Sequence, residues 1–499
     1  MKDYIDRIAQ EAIRQKLEQQ TRRNFLKESF LGLGGLAMGS LLSSCGGKSM
    51  AAKNFDIDFA NPMMPRPPHF APKARSVIYI HMAGAPSQLE LFDYKPELAK
   101  MDGKDCPQSF LEGKKFAFIR GVPKMLASTA SFKQNGQSGA YISDYMPHLQ
   151  TIADEITFLK GVSTDQFNHA PAQLMMHTGS ARLGRPSIGT WVTYGLGSEN
   201  SDLPGFVVLT SGGNNPDAGK SIWGSGFLPS VYQGVQCRSV GDPVLFLQDP
   251  DGITRDLRKA SIEAINKVNQ EEFKEYGDPE TLSRISQYEM AFKMQVSVPE
   301  VMNINDEPAY IHEMYGTKPG EASIANNLLL ARKLVEKGVR FVQLFDWGWD
   351  THGTAEDGAI DIGLVNKCRA SDKAVTALIL DLKQRGMLED TLVVWGGEFG
   401  RTPMAENREG KPNAFKGRDH HAEAFTMWMA GGGVKKGTTF GETDEIGYTV
   451  VNGKVTPHDI QATILNQLGF DHEKLTYQFQ GRNFRLTDVE GRVINEILA

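Results

Sequence analysis

Cysteine is scarce in this chain. Its 499 residues include only Cys45, Cys106, Cys237 and Cys368, with no spacing that resembles a zinc–cysteine site and no framework of paired bridges. Basic charge is not in surplus either. Lys and Arg number 54 against 60 Asp and Glu, for a net charge of -6, which excludes the electrostatic footprint of a nucleic-acid partner. The weakly apolar run Ser29 to Leu42 is too short and too glycine-rich for a membrane span, which needs about 20 mostly apolar residues. Also absent are a Walker-type phosphate loop, a strand followed by GxGxxG, an HExxH pair and a GxSxG nucleophile elbow. These gaps exclude the reaction classes built on those motifs.

What is present, 40% hydrophobic and 23% charged residues, can bury a large core, and the length allows two or three domains. The N-terminus reads as an address. Residues 1–20 form a charged leader, and Thr21-Arg22-Arg23-Asn24-Phe25-Leu26-Lys27 is a twin-arginine pattern. The apolar run then ends in Leu42-Ser43-Ser44-Cys45, which resembles a lipobox. The order predicts twin-arginine export over residues 21–45 and a lipid anchor at Cys45, hence a periplasmic or outer-membrane lipoprotein. The alternative is an amphipathic helix with a chance arginine pair. Residues 46–75, with five prolines from Pro62 to Pro72, read as a tether.

From residue 76 the pattern is that of an α/β protein. Apolar runs at Ser76 to Met82, Ile156 to Gly161, Gly205 to Leu209, Val339 to Phe345 and Thr391 to Trp395 predict buried strands. Helices are predicted over Ala170 to Thr178, Ile324 to Glu336 and Val365 to Gln384, the last two closed by Gly338 and Gly386. Residues of about 249–331 are charged and read as a helical insertion or lid. His458-Asp459 reads as a helix start.

Candidate ligands gather near the predicted strand ends. Asp346, Asp350 and His352 lie in FDWGWDTHG, Glu398 and Arg401 in VVWGGEFGRTP, and Asp419, His420 and His421 in GRDHH. Acids and imidazoles in such loops suit a divalent ion such as zinc or manganese, and Arg401 suits a phosphate or sulfate. Each cluster also has a plain structural reading: helix-capping acids, an Arg-Glu pair in a glycine turn, surface histidines. Adjacent side chains of extended backbone point oppositely, so one of His420 and His421 is expected to reach a given metal. Glu90 and Asp93 are weaker metal candidates, His169 is a ligand or base, and His177 reads as packed on its helix.

These residues stand in motifs that resemble the bacterial family called domain of unknown function 1501, itself similar to sulfatases and alkaline phosphatases. The motifs are GAPSQLELFDYKP (84–96), GQSGAYISDYMPHL (136–149), TYGLGSENSDLPGFVVL (193–209), WDTHG, GGEFGRTP and GRDHH. The resemblance implies a three-layer α/β/α sandwich with a mostly parallel sheet, like that of alkaline phosphatase, and a divalent metal, zinc, manganese or calcium, at the strand ends. It implies metal ligands at Asp350, His352, Glu398 and one of His420 and His421; the residue reading adds Glu90 and Asp346 as metal candidates, Arg401 for an anion, and His169 or Asp419 for proton transfer. No Ser, Thr or Cys stands at Asn168-His169, where the phosphatases carry their nucleophile. The expectation is an exported metalloprotein that hydrolyses an anionic small-molecule or glycan ester, phosphate or sulfate, with metal-activated water. The alternative is a non-catalytic envelope binding or assembly protein that keeps the fold, with at most a structural metal.

Overall fold

The computed structural model describes residue 58 and residues 61–499, apart from 245–247, 251 and 409. The charged leader, the twin-arginine and lipobox segment and Cys45 lie outside the described residues.

The strands that build the main sheet and the site are, in chain order, β1 (Ser76–Ala83), β2 (Thr157–Val162), β3 (Phe206–Ser211), β4 (Val235–Cys237), β5 (Phe341–Trp347), β6 (Thr391–Gly396), the ribbon β7 (Gly400–Ala405) and β8 (Arg418–His421), then β9 (Phe425–Ala430) and β10 (Thr438–Phe440). All but β7 and β8 form one sheet, in the order β10-β2-β9-β6-β1-β5-β3-β4. Only β9 runs antiparallel to its neighbours in that sheet. Helices are α1 (His169–Thr178), α2 (Ile188–Leu196), α3 (Arg255–Tyr276), α4 (Pro279–Met302), α5 (Ile324–Glu336), α6 (Gly363–Gln384) and α7 (Pro457–Gln467).

The central strand shows why the sheet needs two covers. All eight residues of β1 are buried, as a strand flanked by parallel partners requires. Alternation sends Ile78, Ile80 and Met82 into one core with α5 and α6, and Val77 and Tyr79 into another with α1, α2 and α7. The result is a three-layer α/β/α sandwich. Helix starts are fixed locally: Ser323 accepts from Asn326 N at 3.1 Å, and Thr456 and Asp459 form a capping box at α7.

Three boundaries differ from the sequence reading. The expected tether is fastened to the domain over its last part: Arg66 N donates to Leu196 O, Phe70 N to Gly469 O, and Lys73 N and Ala74 N to Gln467 O. Strand β5 continues to Trp347, so Asp346 is a strand residue and not a loop residue. The helical insertion holds α3, α4 and the short helix Ala309–Tyr315, whereas α5, which begins inside the predicted 249–331 span, packs on the sheet through Leu328, Leu329 and Leu334. Among the described residues no helix is long and apolar enough to cross a membrane.

One buried ion pair ties the start of the sheet to the ribbon. Arg418 Nη2 on β8 lies 2.6 Å from Glu90 Oε1 on the short helix Gln88–Leu91, and both side chains are fully buried. Arg418 also donates to the carbonyls of Leu126, Thr402 and Ala127, and Ser87 Oγ donates to Glu90 Oε2. Every strong group is met, so the pair is tolerated; removal of one member leaves a bare buried charge. Glu90→Gln is expected to destabilise the domain by roughly 3–5 kcal/mol in urea titrations, and an effect below about 1 kcal/mol would refute this role.

Candidate metal centre

Four side chains from three segments meet at the carboxyl edge of the sheet. His169 opens α1, Asp350 and His352 follow β5, and His420 lies on β8. Asp350 Oδ1 stands 2.8 Å from His352 Nε2 and 3.4 Å from both His169 Nε2 and His420 Nε2. The Nε2 atoms of His352 and His420 are 3.0 Å apart. The ligand atoms of all four residues fall within 4.8 Å of one another.

Backbone geometry makes this convergence possible. Gly84, just past β1, holds a φ of +111°, and a Cβ there would stand 2.5 Å from Asp350 N. Only glycine permits that approach. Across the site, a Cβ on Gly417 would overlap the backbone of His352. The ribbon register sets His420 opposite Arg401.

Each imidazole is held from behind by an acceptor. His169 Nδ1 meets Glu398 Oε1 at 2.7 Å, His420 Nδ1 meets Phe167 O at 2.7 Å, and His352 Nδ1 meets Glu406 Oε2. A carboxylate or carbonyl can only accept, so each ring in its neutral form carries its proton on Nδ1. Three bare Nε2 lone pairs then face one another and Asp350 Oδ1. Without a cation that arrangement is repulsive; with one it is the usual outer support of metal-binding histidines. Phe399 packs on His169 and His420, with centroids at 4.9 and 4.5 Å, and Phe118 packs on His352 at 4.9 Å. The opening is on the Asp350 side, whose side chain is 36% exposed against 4% for His420.

Electrostatics match this geometry. Burial alone would push Asp350 up, but the Arg401 charge and the hydrogen bonds of His169, His352 and His420 hold it well below the usual carboxylate range. Burial likewise opposes Glu398, yet His169 and His81 bring it well below its ordinary value. Burial disfavours a charged His169, but hydrogen bonds and charges from Asp350 and Glu398 push it up to about 9. His420 is lowered to about 4, first by burial. In the metal-free protein a proton on His169 thus takes the place of a cation.

The other candidates are spent elsewhere. Asp346 points from β5 to Ser211 Oγ at 2.7 Å and Trp349 Nε1 at 2.8 Å, because the strand runs on and alternation turns it away. Glu90 is bound to Arg418. Glu398 is not among the four converging residues: Gly84 N, Gln173 Nε2 and His169 Nδ1 all lie on its Oε1. His421 Nε2 turns to Tyr448 O while its ring stacks on Tyr448. Arg401 cannot bind an outside anion. It is fully buried, and its nitrogens donate to Ala85 O, Gly84 O, Arg418 O and Asp350 Oδ1. Asp419 is sealed by the N–H groups of Phe118, Ile119 and His420, so it is not placed to move a proton. It approaches His352 and Glu406 as a second acidic group, but both Asp419 oxygens and His352 Nδ1 are already bonded.

Sequence reading missed Glu406, which stands in no motif, and also His81, Gln173 and Gln343. The signal available for His81 and Gln343 was a polar interruption in an apolar strand.

The fold and the site define an α/β/α sandwich protein with a candidate metal centre at the carboxyl edge of its sheet. More particularly, the chain belongs to the family described as Protein of unknown function (DUF1501), whose model matches residues 74–498. No curated protein matches the sequence. Solved structures with some likeness include a sulfatase from Pseudoalteromonas sp., 12% identical, covering 80% of this chain and 68% of its own, with a TM-score of 0.34. An alkaline phosphatase from the Antarctic bacterium TAB5 is 14% identical, covering 80% and 98%, at 0.32. A phosphonate monoester hydrolase from Silicibacter pomeroyi is 12% identical, covering 85% and 76%, at 0.31. Likeness this distant says nothing of chemistry, which rests on the side chains themselves.

The raised His169 has a pH consequence with a definite sign. Its folded value of about 9 against 6.5 contributes stability that is complete below 6.5 and lost as pH rises through about 9. Metal-free wild type is expected to lose roughly 2–3 kcal/mol from this group over that window, and His169→Gln to lose correspondingly less. Urea titrations across the window decide it; equal slopes would place the charge elsewhere.

Proposed function

We propose that this chain is an exported metalloprotein that hydrolyses a phosphate or sulfate ester with water as the nucleophile. The observation that carries the reading is the set of three imidazoles, each tied at Nδ1 and each aiming a bare Nε2 at Asp350 Oδ1. Donors on a tetrahedral ion with bonds of about 2.0 Å lie about 3.3 Å apart, close to the 2.8–3.4 Å from Asp350 Oδ1 to the three Nε2 atoms. Three nitrogens and one oxygen favour a zinc-like ion over calcium, which prefers oxygen. His169, Asp350, His352 and His420 would hold one ion, since Glu398 Oε1 and both Asp419 oxygens are hydrogen-bonded elsewhere and Glu398 Oε2 faces His81. A divalent ion there supplies positive charge that makes water a better nucleophile near neutral pH and stabilises ester oxyanions.

The chain's own groups do the rest. Arg401 keeps Asp350 ionised and in place. Phe118 and Phe399 exclude water from the rear of the rings, and the Asp350 side stays open. Arg408, 42% exposed and linked to His352 through Glu406, is the cation we assign to the substrate anion in place of Arg401. Export by the twin-arginine pattern and anchoring at Cys45 belong to the same proposal; loss of lipid labelling in Cys45→Ser would support the anchor.

A structural metal in a non-catalytic envelope protein is the second reading, favoured by the burial of the histidines. Both readings require one zinc-like ion per chain by elemental analysis. Both also predict a melting point raised by a few degrees at saturating ion, since binding at about 100 times Kd adds about 2.7 kcal/mol. His352→Ala and His420→Ala should lose the ion, while Asp346→Asn and His421→Gln should keep it. No bound ion and unchanged melting with zinc, manganese and calcium would overturn both. Turnover of aryl phosphates or sulfates by the loaded protein, lost in His352→Ala, would select the first.

A further inference from the structure

Behind the site runs a file of buried polar groups that ligation does not use. Gln343 Nε2 on β5 lies 2.7 Å from His177 Nδ1 on α1. His177 Nε2 lies 3.1 Å from His81 Nδ1 on β1, and His81 Nε2 lies 3.2 Å from Glu398 Oε2. All four side chains are fully buried, and Phe345 packs on both imidazoles. An apolar core holds such groups best when they satisfy one another; here His81 Nε2 and Glu398 Oε2 have only their mutual contact, and Gln343 Oε1 has no hydrogen-bond partner among the described residues.

The file has a direction. An amide nitrogen only donates, so Gln343 makes His177 Nδ1 an acceptor. The neutral ring then carries its proton on Nε2 and donates to His81 Nδ1, which leaves the proton of His81 on Nε2, facing Glu398. Each donor points toward a carboxylate that only accepts. On its other oxygen Glu398 takes His169 Nδ1 at 2.7 Å. This bond leaves His169 Nε2 bare toward Asp350.

We infer that Glu398 is a positioning residue rather than a metal ligand, and that Gln343, His177 and His81 hold its charge and orientation so that His169 presents its metal-binding nitrogen. The inference goes beyond the proposed activity and shares only its affinity measurement with the metal reading.

Glu398→Gln tests it. An amide that still accepts from His169 must turn its NH2 toward His81, so the file has to reverse. His81 and His177 then carry their protons on Nδ1, and Gln343 offers its oxygen. Nitrogen NMR of 15N-histidine-labelled, metal-free protein should show both rings protonated on Nε2 in the wild type and on Nδ1 in Glu398→Gln, with His81→Gln and His177→Gln used for assignment. Zinc affinity should fall about 10–100-fold in Glu398→Gln. The cobalt(II) absorption bands should keep their positions, because the donor set is unchanged. His177→Gln should weaken zinc binding in the wild type and add little in Glu398→Gln. Unreversed tautomers, unchanged zinc affinity, or altered cobalt bands would each overturn the inference, the last by making Glu398 a ligand. If the wild type binds no ion, the metal reading fails by itself and the ring tautomers alone decide the file.

Discussion

Asp350 Oδ1 sits where a buried guanidinium and three imidazoles meet, and the charge on that one oxygen lets four chain segments close on a point. A carboxylate in a half-dry pocket is stable only when opposite charge and donors surround it. Arg401 supplies the first of these, and it can do so because Gly84 and Ala85 offer their carbonyls to the same guanidinium. The turn after β1, the loop after β5 and the ribbon are thereby fixed to one another. The positions of His169, His352 and His420 follow from that frame.

Charge balance around the frame is unusual. Three carboxylates, Asp350, Glu398 and Glu406, face two guanidiniums, Arg401 and Arg408. Helices and apolar rings close most other directions, so the missing positive charge has to be found locally. A proton on His169 can meet that demand, and a divalent ion can meet it while also relieving the opposed lone pairs.

Much of this was legible in the sequence, because residue type and strand position carry real information. The order of buried runs and glycine-ended helices pointed to the sandwich, and Asp350, His352, His169 and one member of the His420-His421 pair were all candidates. What the sequence could not show is which atoms are already taken. Arg401 looks like a surface anion binder until the carbonyls around it are counted. Asp346 reads as a loop ligand if the strand ends at Phe345, but the strand runs on to Trp347, and the pleat then fixes the direction of its side chain. Glu406 supports His352 from a distant ribbon segment, and no local pattern marks such a partner.

The ligands are far apart along the chain. His169 and Asp350 are 181 residues apart, and His420 and Asp350 are 70 apart. No short peptide within this chain can gather the four groups, so the site cannot seed folding as the metal of a zinc finger does. Closure of such long loops adds little entropy cost per added residue, but it requires β1, β5 and β6 to be paired first. An ion would therefore enter a finished fold and slow its unravelling, since the ribbon and the loop after β5 could not part until the ion left. Its main mark on the protein would be kinetic, a longer lifetime against local opening and proteolysis.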